Sequence, residues 1–420
     1  MTRIRSVLAL SITLLALLGV APSTAGAQTE AALSGATVVD TGDNHSCARL
    51  TSGQVRCWGD NADGQLGNNT LVDSDAPVTV LNLAGGGALT GVTGITVGDD
   101  HTCARLGNGQ ARCWGDNDNG QLGNNSLVDT DLPVVVLNAA GTAPLTGITA
   151  LSGGQDHTCG RLTSGQARCW GNNDNGQLGN DTIVDADTPV VVRSVTGGGA
   201  LVQVSSVSAG TDHTCARLAS GQARCWGDND IGQLGDGTTT DRDVPRVVRG
   251  TNGVGTLTDV VGLSATAEHT CATLGAGQAR CWGDNDDGQL GINSLDDSNV
   301  PRVVRNPGNT GALTGVLRIE VGSNATCTRV AGNQARCWGD NDDGEIGSGN
   351  VGPRSELPVV VRNLVDTAPL KNVTQISAGD SHACARLANA QIRCWGDNDS
   401  GQLGNNTLVD SALPVVVNLS

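Results

Sequence analysis

The sequence predicts an all-β protein, a closed seven-bladed β-propeller with four antiparallel strands in each blade. One repeat containing Cys-Trp-Gly occurs seven times, its tryptophans 56 residues apart with 57 for the last step: Trp58, Trp114, Trp170, Trp226, Trp282, Trp338 and Trp395. Each period holds four short extended segments between loops of Asn, Asp, Gly and Thr, which is the pattern of a propeller blade. The 60 glycines fit turn-rich β structure.

The second repeat shows how the four strands are assigned. They are predicted over 94–97, 101–106, 110–115 and 133–137. Unbroken apolar runs such as Val134-Val135-Val136 fit sheets that are buried on both faces against neighbouring blades. A ring has no free sheet edges only if it closes, so the final strand, 415–419, is expected to complete the blade that contains Cys47.

The N-terminal segment predicts export. Two arginines precede an apolar run over 7–20, and the small residues Ala25-Gly26-Ala27 form a cleavage site, so residues 1–27 are predicted to be a signal peptide. The apolar run is too short for a good membrane span. Residues 28–35 are expected to form a short tail and 36–420 the propeller. A secreted or periplasmic protein is therefore expected.

The charge balance restricts the partners. The formal net charge is -17, which repels nucleic acid and anionic membranes. We therefore expect no nucleic-acid partner. No other long apolar segment follows in the sequence, so no membrane span is expected, and we also expect a monomer. The simplest interpretation of this charge is that it keeps an exported protein soluble.

The cysteines predict seven local disulfides. They form one pair per repeat, ten residues apart: Cys47 with Cys57, Cys103 with Cys113, Cys159 with Cys169, Cys215 with Cys225, Cys271 with Cys281, Cys327 with Cys337 and Cys384 with Cys394. Thr51-Ser52-Gly53 fits a three-residue hairpin loop whose last residue is left-handed, and only Ala390 breaks this pattern of Gly or Asn. Leu50 would then face Gln54, and the two cysteines would face each other at roughly 4.5 Å between Cα atoms.

Zinc is the alternative for these cysteines, because His45, Cys47 and Cys57 could be ligands. Three observations argue against it: the export signal implies an oxidising compartment, no Cys-x-x-Cys motif is present, and the sixth repeat has Ala325 in place of the histidine. We therefore predict no metal and no cofactor.

The repeat resembles a known family. Trp-Gly-x-Asn-x-x-Gly-Gln-Leu-Gly, preceded by His-Thr/Ser-Cys-Ala and followed by a Pro-Val strand, is similar to the repeat of the regulator of chromosome condensation family over residues from about 36 to 420. The resemblance implies a seven-bladed propeller that binds other proteins, and the paired cysteines resemble exported bacterial members. The exchange-factor activity of the nuclear founder is not carried over, since an exported protein would not meet that GTPase and no insertion is long enough to act as a wedge.

Two sets of residues are candidates for partner binding. In the family, the loops with the repeated histidine lie toward one rim, so the first set is a partner-binding rim of His45, His101, His157, His213, His269 and His382. The alternative is a structural histidine bonded to the backbone of the adjacent blade. The second set is a basic arc in blades four to six, made of Arg246, Arg249, Arg302 and Arg305. Drift in a tolerant blade is the alternative for the basic arc.

No catalytic residues are assigned. The acidic loops after each tryptophan, such as Asp116-Asn117-Asp118, superficially resemble calcium loops but lack the glutamate six residues after the glycine. Nucleophile elbows and phosphate loops are absent from the sequence. The sequence thus favours an exported non-catalytic binding or scaffold module that engages an unidentified protein or cell-surface ligand through a propeller rim. The alternative is a carbohydrate-active or lyase-type enzyme with a site at the central opening.

Overall fold

The computed structural model describes residues 31–419 and confirms the propeller. Its strands form seven four-stranded antiparallel sheets, each made of four consecutive strands in sequence order. The predicted signal peptide lies outside the described residues, so that prediction and the domain boundary at residue 27 are not tested. No helix among residues 31–419 has the length and apolar character to cross a membrane.

The strands repeat with nearly constant bounds. The first strands of the blades are Ala36–Thr41 (β1), Val92–Val97 (β5), Ile148–Gly153 (β9), Val204–Ala209 (β13), Val260–Thr266 (β17), Val316–Val321 (β21) and Val373–Ala378 (β25). The second strands are His45–Leu50 (β2), His101–Leu106 (β6), His157–Leu162 (β10), His213–Leu218 (β14), His269–Leu274 (β18), Ala325–Val330 (β22) and His382–Leu387 (β26).

The third strands are Val55–Gly59 (β3), Ala111–Gly115 (β7), Ala167–Gly171 (β11), Ala223–Gly227 (β15), Ala279–Gly283 (β19), Gln334–Gly339 (β23) and Ile392–Gly396 (β27). The fourth strands are Ser74–Thr79 (β4), Thr130–Val135 (β8), Ala186–Val191 (β12), Arg242–Val247 (β16), Ser298–Val303 (β20), Ser355–Val360 (β24) and Ser411–Val416 (β28). A short 3-10 turn, Thr251–Gly253, follows β16.

In the second blade the strands match the sequence prediction closely, and the largest difference is in the fourth. That strand begins at Thr130 rather than at Pro133. Its pairing with β7 shifts register between Cys113 and Gly115. Proline, which cannot donate a ladder hydrogen bond, is tolerated there because β8 is the outer strand of its sheet.

The hairpins and disulfides form as predicted. The last loop residue has a positive φ in every blade, 75° at Gly53 and 63° at Ala390, so Ala390 adopts the left-handed conformation without the help of glycine. Cys47 faces Cys57 in the β2–β3 pairing. All seven pairs are disulfide-bonded with 4.1 Å between Cα atoms.

The hydrophobic core lies between blades. The cluster between the first two blades joins Val55 and Leu66 of one blade to Trp114 of the next, and Trp114 is fully buried. The indole Nε1 of Trp114 donates a hydrogen bond of 2.8 Å to the carbonyl oxygen of Gln65. Gly67 has a φ of 63°, and a Cβ there would lie 2.7 Å from that indole nitrogen. Only glycine therefore fits against the tryptophan face.

The expected closure of the ring is wrong in one respect. The last strand, β28, pairs with β27 in the seventh blade and does not join the sheet that contains Cys47. The chain already supplies four consecutive strands to every blade, so none has to be exchanged. The two ends still meet: the Leu33 N–H donates to the Val417 oxygen at 2.9 Å, and the Leu419 N–H donates to the Ala31 oxygen at 2.8 Å.

Candidate functional site

The six repeated histidines lie at the blade boundaries, where they are 0–2% exposed. His101 shows the common geometry. Its Nε2 lies 2.7 Å from Oγ1 of Thr158 in the next blade. The Thr158 hydroxyl donates its own proton to the carbonyl oxygen of Gln121 at 2.9 Å, so Nε2 of His101 must be the donor in the first bond. The equivalent pairs are His45–Thr102, His157–Thr214, His213–Thr270, His269–Thr326 and His382–Ser46.

These histidines are neutral at neutral pH. Burial lowers the pKa of His101 to about 4. The pKa of His157 is lowered to about 3 by burial and by its neighbours His101 and His213. Buried neutral rings that are bonded to the adjacent blade serve packing, which was the alternative considered from the sequence. The group that accepts the Nε2 proton is a hydroxyl. Direct contact of these side chains with a partner is not supported by this placement.

The boundary between the sixth and seventh blades lacks this polar pair. Ala325 replaces the histidine, and Ala383 replaces the threonine that would accept its hydrogen bond. Both alanines are buried, at 5% and 2% exposure. Replacing both partners of a buried hydrogen bond by apolar groups is nearly neutral, whereas removing one is costly. The loss of the histidine in the sixth blade is thus matched by the loss of the threonine in the seventh. The sequence shows both alanines, but sequence reasoning did not pair them.

The first strands line a central cavity of about 620 Å³. Polar side chains bridge the blades around its wall: Thr96 Oγ1 accepts the Gly153 N–H at 2.9 Å, and Asp40 Oδ2 accepts the Val97 N–H at 3.1 Å. The Gln375 side chain forms two bonds with the backbone of Val39 in the first blade, which reinforces the boundary where the chain ends meet.

The cavity wall is asymmetric. Blades two and three place Gly94 and Ala150 there, whereas the sixth blade places an Arg318–Glu320 ion pair. Burial raises the pKa of Asp40 to about 7. Burial and the neighbouring carboxylate of Asp380 likewise raise the pKa of Asp43 to about 7. The cavity is therefore a polar opening with Asp40, a carboxylate of raised pKa, on its wall, and Asp43 follows the lining residue Gly42 in the chain.

The third and fourth strands are joined by a long loop that is held by a buried asparagine. Asn117 accepts the Leu122 N–H at 3.0 Å and donates to the carbonyl oxygens of Ser126 and Val128, at 2.8 and 3.1 Å. This explains the asparagine of the repeat as a loop anchor. Three carboxylates converge in four of these loops, with oxygens within 4.8 Å of one another, as in Asp116, Asp118 and Asp129.

Several of these loops carry an exposed pair of apolar side chains that sequence reasoning missed. Leu127 and Val128 are 56% and 70% exposed. The recurrence of Leu-Val-Asp or Ile-Val-Asp at one position of the repeat was the signal available in the sequence.

The four arginines of the basic arc lie on adjacent blades. Arg249 and Arg305 are exposed, whereas Arg246 and Arg302 are partly buried. Arg302 and Arg305 line a shared surface depression of about 200 Å³ with Asn252. Nε of Arg249 donates to the carbonyl oxygen of Asp236 at 3.2 Å. The structure therefore brings Arg302 and Arg305 together at one depression.

Comparison with known families agrees with this geometry. An RCC1-like domain matches residues 18–327, and regulator of chromosome condensation (RCC1) repeats match residues 337–386 and 373–402. The chain belongs to the RCC1 repeat family. Within the family, the chain is 30% identical over 384 residues to the ultraviolet-B receptor UVR8 of Arabidopsis thaliana, which covers 90% of this chain and 81% of the receptor.

Other proteins match over less of their length or at lower identity. The chain is 28% identical over 274 residues to the human E3 ubiquitin-protein ligase HERC2, covering 65% of this chain and only 5% of that protein. The solved structure of human WBSCR16 shares the fold, with a TM-score of 0.71, 20% identity and coverage of 87% of this chain and 94% of that one. Prp20p of Saccharomyces cerevisiae, described with its binding properties to Gsp1p and histones, has a TM-score of 0.64 at 20% identity, covering 81% of this chain and 80% of that one.

Proposed function

We propose that this RCC1 repeat protein is an exported, non-catalytic module that binds a protein partner through one rim of its propeller. The observation that carries the proposal is the use of the repeated residues. His101, Cys103, Trp114, Asn117 and Gln121 are at most 1% exposed and are bonded within or between blades. The repeated polar groups are thus bonded inside the fold. A partner would therefore contact surface residues, at which the blades differ from one another.

Several facts support the setting. Seven disulfides fit an oxidising, extracellular-type compartment. The relatives include a receptor, a ubiquitin ligase and a propeller described by its binding to other proteins. On an acidic surface, the basic arc of Arg246, Arg249, Arg302 and Arg305 is the candidate contact for an acidic partner or cell-surface ligand.

Affinity capture tests this proposal. The protein secreted without residues 1–27 would be immobilised and exposed to the native extracellular fraction, and the binding of a retained protein would be measured again with purified components. Reversing the charge of the four arginines is expected to weaken that binding at least tenfold. Arg193→Glu is the control, because Arg193 is exposed at the position of Arg249 and Arg305 in a blade outside the arc.

The two parts of the proposal fail separately. A partner that binds the charge-reversed variant as tightly as the native protein would refute the basic arc and leave the binding module standing. If the native protein retains no partner that binds again in purified form, the binding module itself is refuted.

A second candidate function is supported by the central cavity. Carboxylates with raised pKa near its wall, Asp40 and Asp43, would suit an enzyme acting on a carbohydrate. Asp40, however, is bonded to both Val97 and Ser377 of the neighbouring blades, which gives it a structural use. Screening the purified protein on polysaccharides beside Asp43→Asn tests this candidate; turnover that the substitution abolishes would favour the enzyme.

A further inference from the structure

Four consecutive blades display an apolar pair at the same loop position. The pairs are Leu408-Val409, Leu71-Val72, Leu127-Val128 and Ile183-Val184, and every one of these side chains is between 56% and 71% exposed. They belong to blades seven, one, two and three, which are adjacent because the seventh blade adjoins the first. We call these eight residues the apolar arc.

Hydrogen bonds hold the backbone that carries each pair. In the first blade, Nδ2 of Asn61 donates to the carbonyl oxygens of Thr70 and Val72, at 2.7 and 3.1 Å, so its two hydrogen bonds bracket Leu71. Asn117, Asn173 and Asn398 form the same two bonds in their own blades. A loop backbone held in advance loses little conformational entropy when a partner covers the loop.

The loop does not need apolar residues to fold. In the fourth blade Thr239-Thr240 occupies the position of the pair, and Asn229 brackets it with bonds of 3.0 and 3.1 Å to Thr238 and Thr240. The fifth blade has Leu295 followed by Asp296, and the sixth has Val351 followed by Gly352. The apolar pair is therefore a property of one side of the ring rather than a requirement of the repeat.

The surroundings of the apolar arc define what could cover it. The four loops, residues 60–75, 116–131, 172–187 and 397–411, contain aspartates but no lysine or arginine. Each apolar pair is followed directly by an aspartate, namely Asp73, Asp129, Asp185 and Asp410. Exposed apolar pairs set among carboxylates complement apolar side chains set among basic ones, and the carboxylates repel an anionic membrane.

We propose that the apolar arc is the docking surface for a basic protein segment that presents apolar side chains. This inference rests on the proposed binding function and names the partner class for a surface other than the basic arc. The apolar side chains supply most of the affinity by leaving water, while the aspartates set the sign of the charge that is accepted.

The test uses peptides of defined composition. One helical peptide carries leucines on one face and lysines on the other, the second replaces every lysine by glutamate, and the third replaces every leucine by serine. Fluorescence anisotropy with the full mature protein measures binding. The lysine-leucine peptide is expected to bind at least tenfold more tightly than either of the others, with affinity that falls as salt rises.

Matched variants locate the binding. In one variant, called the Thr-Thr protein, all four pairs are replaced by Thr-Thr, the sequence of the fourth blade. This variant is expected to bind the lysine-leucine peptide at least tenfold more weakly, while its melting temperature stays the same. The opposite variant, Thr239→Leu with Thr240→Val, extends the apolar arc by one blade and is expected to strengthen binding. The opposite variant keeps the proposal testable if the Thr-Thr protein fails to fold.

Several results would overturn the inference. These are equal affinity for the lysine and glutamate peptides, unchanged binding by the Thr-Thr protein, binding of phosphatidylglycerol vesicles in place of the peptide, or self-association by sedimentation that the Thr-Thr variant abolishes. A partner captured from the extracellular fraction that the Thr-Thr variant still binds would refute the apolar arc but not the binding module.

Discussion

A double-mutant cycle across the boundary of the second and third blades should show a strong coupling between His101 and Thr158. Thr158→Ala leaves the Nε2–H of His101, a side chain that is 1% exposed, without its acceptor. An unsatisfied buried donor costs roughly 1–3 kcal/mol. His101→Ala leaves the Thr158 hydroxyl still bonded to Gln121, and the cost is mainly the cavity left by the ring, about 3 kcal/mol.

The double variant reproduces the alanine pair found at the boundary of blades six and seven. It is expected to lose about 1–2 kcal/mol less than the sum of the two single variants, because no donor is then left unpaired. Urea unfolding without reductant, followed by the fluorescence of the seven buried tryptophans, measures all four free energies. Additivity within about 0.4 kcal/mol would refute the assignment of this pair as a buried polar lock.

The pH dependence supplies a second measure of the same pair. Since burial lowers the pKa of His101 to about 4, the folded state resists protonation that the unfolded chain accepts below pH 6.5. Its contribution to stability is therefore complete above pH 6.5 and is lost as the pH falls toward 4. His101→Ala should accordingly flatten the loss of stability between pH 6.5 and 4, and an unchanged slope would contradict this.

Three further predictions concern single features of the blades. Ala390→Gly should raise the free energy of unfolding by about 1 kcal/mol, because the φ of 63° at Ala390 is unfavourable for an L-residue. Gly221→Ala at the equivalent loop should lower the free energy of unfolding by about as much. If both variants are as stable as the native protein, the argument is refuted. Glu345→Gln introduces the residue found in the other six blades. Because burial raises the pKa of Glu345 to about 7, the substitution should raise the free energy of unfolding by up to about 3 kcal/mol above pH 7, and the gain should fade toward pH 4.5 as the folded carboxyl binds its proton. A gain that does not depend on pH would contradict this origin. Replacing Cys159 and Cys169 together by alanine should lower the free energy of unfolding, measured by heat or urea, by about 3 kcal/mol, because the disulfide no longer restricts the unfolded chain. A loss below about 1 kcal/mol would refute this.

Much of the fold could be predicted because it is written in local, repeated signals. The spacing of Cys47 and Cys57 around a glycine loop fixes the hairpin register and hence the disulfide. Seven tryptophans with a glycine partner in the preceding blade indicate packing between blades. These features depend on neighbours in sequence or on the constant period.

The remaining features depend on contacts between neighbouring blades, and the sequence of a single repeat does not show these contacts. The burial of His101 follows from a threonine 57 residues later, so the sequence alone left open both an accessible rim and a structural histidine. The closure of the ring by backbone bonds of Leu33 and Leu419 could not be told from strand exchange. The recurrence of Leu-Val-Asp or Ile-Val-Asp does not by itself predict the apolar arc, because isolated exposed apolar residues are ordinary and only the ring order makes the four blades neighbours.

The alanine boundary between blades six and seven has a thermal consequence. It retains the apolar cluster around Ile346, Ile376 and Trp395 and the bond from Trp395 Nε1 to the Glu345 oxygen, but it lacks the histidine-hydroxyl bond of the other six boundaries. Apolar association weakens on cooling, whereas polar bonds do not share that dependence. Near freezing, this joint should loosen before any other in the ring, so the molecule carries one cold-sensitive joint among seven.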